Sequence, residues 1–306
     1  MVPKSYQVIA RKWRPQQFEE VVGQKTITRT LQNAIRLGRI AHAYLFTGTR
    51  GVGKTSTARI LAKALNCHQG PTPNPCDACP SCLEIAQGNA IDVLEIDAAS
   101  NRGIGEIREL RENVQYAPSR DRHKIFIIDE VHMLTTEAFN ALLKTLEEPP
   151  AHVIFILATT ELYKIPQTIV SRCQQFDFRI IPFDEIYERL RNILVEEGTR
   201  ITDQSLRFVV KASGGSMRDA ESALQKLVSL GGEGVSDEDV SALLGVVQQD
   251  FLNQTMRMIL SQDHAGILDL IDRLYDRGHD LQNFLRAFME FVRHVIVHKV
   301  TGSQQH

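Results

Sequence analysis

The chain has 306 residues, 43% of them apolar and 24% charged, enough for about two domains at roughly 100–200 residues each. That composition excludes wholesale disorder, and no run approaches the ~18 uncharged apolar residues of a membrane helix. The formal net charge of −2 is unevenly spread, because residues 1–66 hold five Lys and seven Arg against only Glu19 and Glu20. An anionic ligand near the N-terminal part and a solvated basic face both remain open as explanations. Arg11, Lys12 and Arg14 stand where a signal peptide would carry its apolar segment, so a cytoplasmic protein with no membrane contact is expected.

The first periodic segment runs from Thr26 to Leu37, with Ile27, Leu31, Ala34 and Ile35 on one face and Gly38 as a stop, which predicts a helix. Short Ile-, Val- and Phe-rich runs follow at Ala43–Thr47, Asp92–Asp97, Lys124–Asp129, Val153–Ala158 and Gln174–Phe178. They read as strands buried on both faces. A helix from about Thr136 to Glu147, ended by Pro149-Pro150, separates the third and fourth. This strand–helix alternation predicts an α/β fold with a mostly parallel five-stranded sheet and helices on both faces.

The first strand ends in Gly48-Thr49-Arg50-Gly51-Val52-Gly53-Lys54-Thr55, with Ser56 continuing into a helix. This is the phosphate-binding loop in its strand–loop–helix setting. Its backbone N–H groups and the helix N-terminus suit phosphates, Lys54 reaches outward to them and is expected to face solvent, and the Thr55 hydroxyl suits Mg²⁺. The third strand ends in Asp129 and Glu130, where one carboxylate suits Mg²⁺ and the other a general base acting on water. An acidic pair at a strand end is also common surface decoration. The phosphate loop upstream favours the functional reading.

Cys67, Cys76, Cys79 and Cys82 lie within sixteen residues, while Cys173 stands alone. Gly70-Pro71-Thr72-Pro73-Asn74-Pro75 between them supports neither helix nor strand, so the segment needs a cross-link to fold. Four converging thiolates predict structural Zn²⁺ that takes no part in catalysis; redox-active thiols are the alternative. Cys173 reads as a small buried hydrophobe, and His132 as a packed or hydrogen-bonded residue. After Pro182 the pattern is helical, at about 184–196, 203–212, 217–229, 236–244, 250–261, 265–276 and 280–298. Gly231 to Gly234 and the turn near Gly245 are expected boundaries, and Thr301 to His306 a frayed tail.

Arg11-Lys12-Trp13-Arg14-Pro15, Val21-Val22-Gly23-Gln24, the phosphate loop, Asp129-Glu130-Val131-His132, Leu142 to Pro150 and Ser171-Arg172-Cys173 together resemble the clamp-loader ATPases of the AAA+ superfamily. With the four-cysteine insertion and Glu95 to Ser100, the chain is similar to the tau/gamma family of bacterial DNA polymerase III subunits over residues 5–245. The resemblance implies an AAA+ P-loop ATPase domain over residues 1–180 with a zinc module at 67–82. A helical lid over 181–243 and an incomplete helical collar-type domain over 244–306 would follow, as in a fragment or shortened form. It implies ATP, Mg²⁺ and Zn²⁺ as cofactors. Its partners would be delta- and delta-prime-type subunits, a sliding clamp and the primer-template DNA backbone, in a hetero-oligomer.

By the same resemblance Arg11, Pro15 and Val22 lie over adenine, and Thr160 is the sensor-one residue that feels the γ-phosphate. Arg218 is the sensor-two arginine, and Arg172 the finger that acts on a neighbour's ATP. Each has a plainer reading: a strand cap for Thr160, a solvated helix residue for Arg218, a surface ion pair for Arg172. Backbone amides and Arg102 in Ser100 to Gly105, before a helix over about 106–115, would contact DNA phosphates; an ordinary loop is the alternative. A non-catalytic stator subunit should lack the loop lysine, whereas Lys54, Thr55 and Glu130 are all present. Another AAA+ DNA-remodelling ATPase and a zinc-based nucleic-acid-binding module remain as competitors.

Overall fold

The computed structural model describes residues 8–100, 110, 112–229, 240, 243, 249–276 and 280–301. Arg102 with its loop, half of the expected 106–115 helix and nearly all of the 236–244 helix lie outside the described residues. So do Gly231 to Gly234, Gly245 and residues 302–306. The chain divides into two compact units, one of residues 1–189 and 215–221, the other of 190–214 and 222–306.

The first unit is built on strands β1 (Ala43–Thr47), β2 (Val93–Asp97), β3 (Lys124–Asp129), β4 (Val153–Thr159) and β5 (Gln174–Asp177). Every pairing is parallel and the spatial order is β2-β3-β4-β1-β5. Side chains alternate across the central strands, as period two dictates. Tyr44, Phe46, Ile125, Ile127, Ile154 and Ile156 enter one core with helices α2 (Lys25–Arg36) and α3 (Lys54–Asn66), while Leu45, Phe126, Ile128, Phe155 and Leu157 enter the other with Phe139 and Leu142. The expectation of strands buried on both faces holds for β1, β3 and β4 but fails for β2 and β5. These two are the sheet edges, and Glu95, Asp97, Gln174 and Gln175 keep their polar ends on the open side.

Helix boundaries follow local chemistry. After α1 (Ile9–Lys12) and α2, α3 starts on Gly53 in a left-handed conformation. The helix α4 (Pro80–Gln87) has Pro at its first position and the Cys79 sulfur as its cap. The Thr135 hydroxyl accepts from Ala138 N at 3.3 Å and opens α5 (Thr136–Glu147), which stops before Pro149. Two further helices follow, α6 (Gln167–Val170) and α7 (Phe183–Glu197).

In the second unit α8 (Asp203–Ala212) is capped by Thr202, whose hydroxyl accepts from Ser205 N at 3.0 Å. The helix α9 (Met217–Ser229) has its first turn in the first unit. Helices α10 (Gln249–Leu260), α11 (His264–Asp276) and α12 (Leu281–Thr301) enclose a small core of Leu252, Leu270, Leu274 and Phe284, with Phe288 and Phe291 against it. Among the described residues no helix is long and apolar enough to cross a membrane.

Candidate functional site

The first unit carries a cleft of about 490 Å³ at the C-terminal ends of β1 and β3, a size within the usual range for small-molecule sites. In a parallel sheet this edge gathers loops and the N-termini of following helices, which favours anions. The loop from Gly48 to Gly53 needs its glycines for space. A Cβ at Gly48 would overlap the Phe178 carbonyl oxygen, and one at Gly51, where φ is +77°, would overlap the Ser216 hydroxyl. Met217 N donates to Gly51 O at 3.0 Å, so the start of α9 is fastened to the loop.

Lys54 is buried, not solvent-facing as its sequence suggested. Its ammonium donates to Gly48 O at 2.7 Å and Thr49 O at 2.8 Å, because these loop carbonyls satisfy the charge locally. Burial pulls its pKa below the usual lysine value, while Glu130 and Asp129 act in the opposite direction. The Thr55 hydroxyl donates to Asp129 Oδ2 at 2.7 Å across the intervening strand β4. Two oxygens are thereby paired at one point, a donor set suited to a hard divalent cation.

Glu130 adopts a left-handed conformation with φ of +48°, unusual for a residue with a side chain and characteristic of strained functional positions. Its Oε2 accepts from Thr160 Oγ1 at 3.0 Å and Thr160 N at 3.3 Å, and lies 3.3 Å from His132 Nδ1. His132 itself is buried against the Thr159 hydroxyl at 3.0 Å and Glu161 Oε2 at 3.0 Å, in agreement with a hydrogen-bonded role.

The cleft wall includes Arg11, Pro15, Val22, Arg50, Gly51, Val52, Gly53, Lys54, Thr55, Ser56, Asp129, Glu130 and Arg218. Gly48 and Thr49 sit behind it with their carbonyls on Lys54, and Thr160 reaches it through Glu130. Arg172 is not part of the wall. Its guanidinium donates to Thr168 O at 2.8 Å and to Glu147 Oε1 at 2.7 Å, and Cys173 beside it is partly buried against the α5 side core.

Among the lining residues that sequence reasoning did not single out are three charged ones, Arg59, Arg189 and Glu221. Arg59 donates to both carboxylate oxygens of Glu95, at 2.6 and 2.9 Å. Arg189 donates to Trp13 O at 3.2 Å and lies 5.7 Å from the centre of the Trp13 ring. Burial pushes the Glu221 carboxyl up to about 7, with Arg189 and Arg14 opposing. A signal existed for Glu221, which follows Arg218 by three residues on one helix and so shares its face.

The four cysteine sulfurs all lie within 4.8 Å of one another. Tetrahedral Zn–S bonds of about 2.3 Å put sulfurs about 3.8 Å apart, so the set fits a zinc ion. Cys76 N, Cys79 N and Cys82 N each donate to the preceding cysteine's sulfur at 3.3–3.5 Å, which favours thiolates. Such bonds, with that from Ala78 foremost, lower Cys76 to about 6.

The family description "DNA polymerase III, delta subunit" matches residues 23–182, and "DNA polymerase III clamp loader subunit, ATPase lid domain" matches 185–233. "DNA polymerase III subunits gamma and tau domain III" matches 235–306. The DNA polymerase III subunit tau of Bacillus subtilis is 46% identical over 96% of this chain and 52% of its own length. The Escherichia coli tau subunit is 48% identical over 92% of this chain and 44% of its own. The gamma subunit of Buchnera aphidicola subsp. Schizaphis graminum is 43% identical over 96% of this chain and 81% of its own. The chain thus spans about half the length of the tau subunits it matches. Among solved structures, the Thermotoga maritima RuvB Holliday junction branch migration motor superposes with a TM-score of 0.57, covering 81% of this chain and 79% of its own at 17% identity, a likeness of fold. Since the relatives' identity extends over nearly the whole chain, cleft-forming segments included, this chain belongs to the tau/gamma family of DNA polymerase III clamp-loader subunits.

Proposed function

We propose that this chain is an ATP-hydrolysing motor subunit of a clamp loader, coupling ATP binding and hydrolysis to placement of a sliding clamp on primer-template DNA. The observation that carries this reading is the convergence of Lys54, the Thr55–Asp129 pair and the Thr160-held Glu130 in one cleft. Phosphates would take the loop N–H groups and draw the Lys54 ammonium off the Gly48 and Thr49 carbonyls. Thr55 and Asp129 would hold Mg²⁺, which when bound supplies charge neutralisation to the phosphates. Glu130 would accept a proton from the attacking water once its Oε2 is free of Thr160. Arg218 would read the nucleotide's phosphates from α9, and Arg11, Pro15 and Val22 would face the base.

Arg172, outside its own cleft, would serve the nucleotide of an adjoining subunit. The division into ATPase domain to residue 180, lid to 243 and collar-type domain to 306 belongs to this reading; the matched segments 23–182, 185–233 and 235–306 support the same order, with the second boundary nearer residue 234. Delta- and delta-prime-type subunits, the clamp and the DNA backbone are the partners of this reading, with Arg102 a candidate phosphate contact. Cys67, Cys76, Cys79 and Cys82 would hold one Zn²⁺, whose bonds order a loop too rich in proline to order itself. The testing experiment measures ATP turnover of the chain alone and with partner subunits, clamp and primed DNA. Stimulation by the full set is expected, and turnover indifferent to clamp and DNA would remove the loading function.

A further inference from the structure

The four-cysteine loop and the cleft meet through a chain of part-buried polar contacts centred on one buried lysine. Lys63, on the third turn of α3, is only 1% exposed. Its ammonium donates to Gln16 O at 2.7 Å, Gln16 Oε1 at 2.9 Å and Asp77 Oδ1 at 2.5 Å. Asp77 lies between Cys76 and Cys79 in a left-handed turn, φ +53°. Gln17 extends the link from the other side, its amide donating to Pro75 O at 2.7 Å and to the second Asp77 oxygen. Gln16 lines the cleft next to Arg14 and Pro15, and so do Ala86 and Gln87 at the end of α4, the helix that Cys79 caps and that carries Cys82 in its first turn.

One wall of the cleft therefore rests on the cysteine loop by two routes. That wall is distinct from the phosphate end. Lys54 donates to the Gly48 and Thr49 carbonyls, whereas the Trp13 carbonyl accepts from Arg189 and the Arg14 carbonyl from Gln16. A buried ammonium with fixed acceptors has no cheap alternative geometry, so the loop's position sets the position of residues 13–17.

We infer that the cysteine loop braces the nucleoside-facing wall of the cleft, with Asp77 and Lys63 as positioning residues acting through Gln16 and Gln17. The inference rests on the nucleotide reading above and adds to it that base and sugar affinity depends on the loop while phosphate affinity does not. The test uses the full chain with Asp77→Ala, compared by calorimetry for ATP and for inorganic tripolyphosphate, with zinc content measured alongside. Losing a charge-assisted bond that fixes residues 13–17 should weaken ATP binding about tenfold and leave tripolyphosphate unchanged. Amide exchange across residues 13–17 should also quicken. Gln17→Ala, which cuts the same link from outside the loop and should lower ATP affinity in the same selective way, covers the case where Asp77→Ala disturbs the sulfurs. Unchanged ATP affinity in both variants, or equal weakening of both ligands, overturns the inference. Wild-type protein that binds neither ligand overturns the nucleotide reading itself.

Discussion

The Thr160 hydroxyl donates to Glu130 Oε2 at 3.0 Å, and Thr160 N approaches the same oxygen at 3.3 Å, so the carboxylate atom best placed to take a proton is already occupied. A base in that condition must exchange a protein donor for water before it acts. Glu130→Gln keeps the side chain's shape and a hydrogen-bonding oxygen but loses basicity. It should bind ATP as the native chain does and hydrolyse it about 10²–10⁴-fold more slowly. Rapid-quench single-turnover kinetics with a binding titration checks both halves. A variant that loses binding would make Glu130 a cation or structural ligand instead.

Lys54→Ala removes the ammonium that the Gly48 and Thr49 carbonyls share. The variant should lose ATP turnover and bind nucleotide at least about tenfold more weakly, because a buried cation facing phosphates makes charge-assisted bonds that neutral groups do not replace. Since the ammonium also ties the loop through the Gly48 and Thr49 carbonyls, stability should fall by about 1 kcal/mol. Fluorescent-nucleotide titration and urea unfolding read the two effects separately. Native-like turnover in the purified variant would remove the phosphate role.

Burial holds Glu221 at about 7 against an ordinary value of 4.5. For an acid raised in the folded state, the stability it contributes is complete below about pH 4.5 and is lost as pH rises through about 7. Glu221→Gln has no such loss. Its stability relative to the native chain should therefore climb across that window by up to about 3 kcal/mol, at 1.36 kcal/mol per pKa unit. Urea unfolding at several pH values measures the difference, and a flat difference would place Glu221 outside the titration.

Much of this arrangement is legible in the residues alone. The ends of α5 follow from the Thr135 cap and Pro149, and the strand β3 from an apolar run that closes on Asp129. The burial of Lys54 is not legible, because the acceptors that take its charge are backbone carbonyls of its own loop, invisible to residue type. Glu221 gains its raised carboxyl from burial, which Arg189 and Arg14, far away in the chain, only partly offset. The link from Asp77 to Gln16 likewise joins segments about sixty residues apart through one buried lysine. Sequence periodicity reports which face is buried and says little about which charged ends meet there.

Metal analysis of the purified chain should return about one zinc, held by Cys67, Cys76, Cys79 and Cys82. Chelation should open the segment around residues 67–82, visible as fast amide exchange there, while the β3 and β4 core stays protected, since neither core cluster draws on the proline-rich linker. Folded protein with four titratable thiols and no metal would refute the site.

Arg172 is the residue that separates an assembled motor from a solitary ATPase. Its guanidinium rests on Glu147 at 2.7 Å, with the two side chains 34% and 49% exposed, and it does not line the cleft of its own chain. An exposed pair of this kind holds its partner weakly, by roughly 0–1 kcal/mol, so the arginine is easily drawn to a stronger anion. A γ-phosphate presented by a neighbouring subunit is such an anion, and a guanidinium there accelerates phosphoryl transfer by about 10³-fold or more where it has been measured. Arg172→Ala should therefore bind ATP normally as an isolated chain and lose clamp- and DNA-stimulated hydrolysis in the assembly. Mixing it with Lys54→Ala sharpens the test. The lysine variant cannot use its own cleft but still offers an intact Arg172, so mixed assemblies should recover hydrolysis at the arginine variant's intact sites. Co-assembled mixtures without recovery, together with an isolated Arg172→Ala chain that already fails to bind ATP, would place the arginine's action within its own subunit.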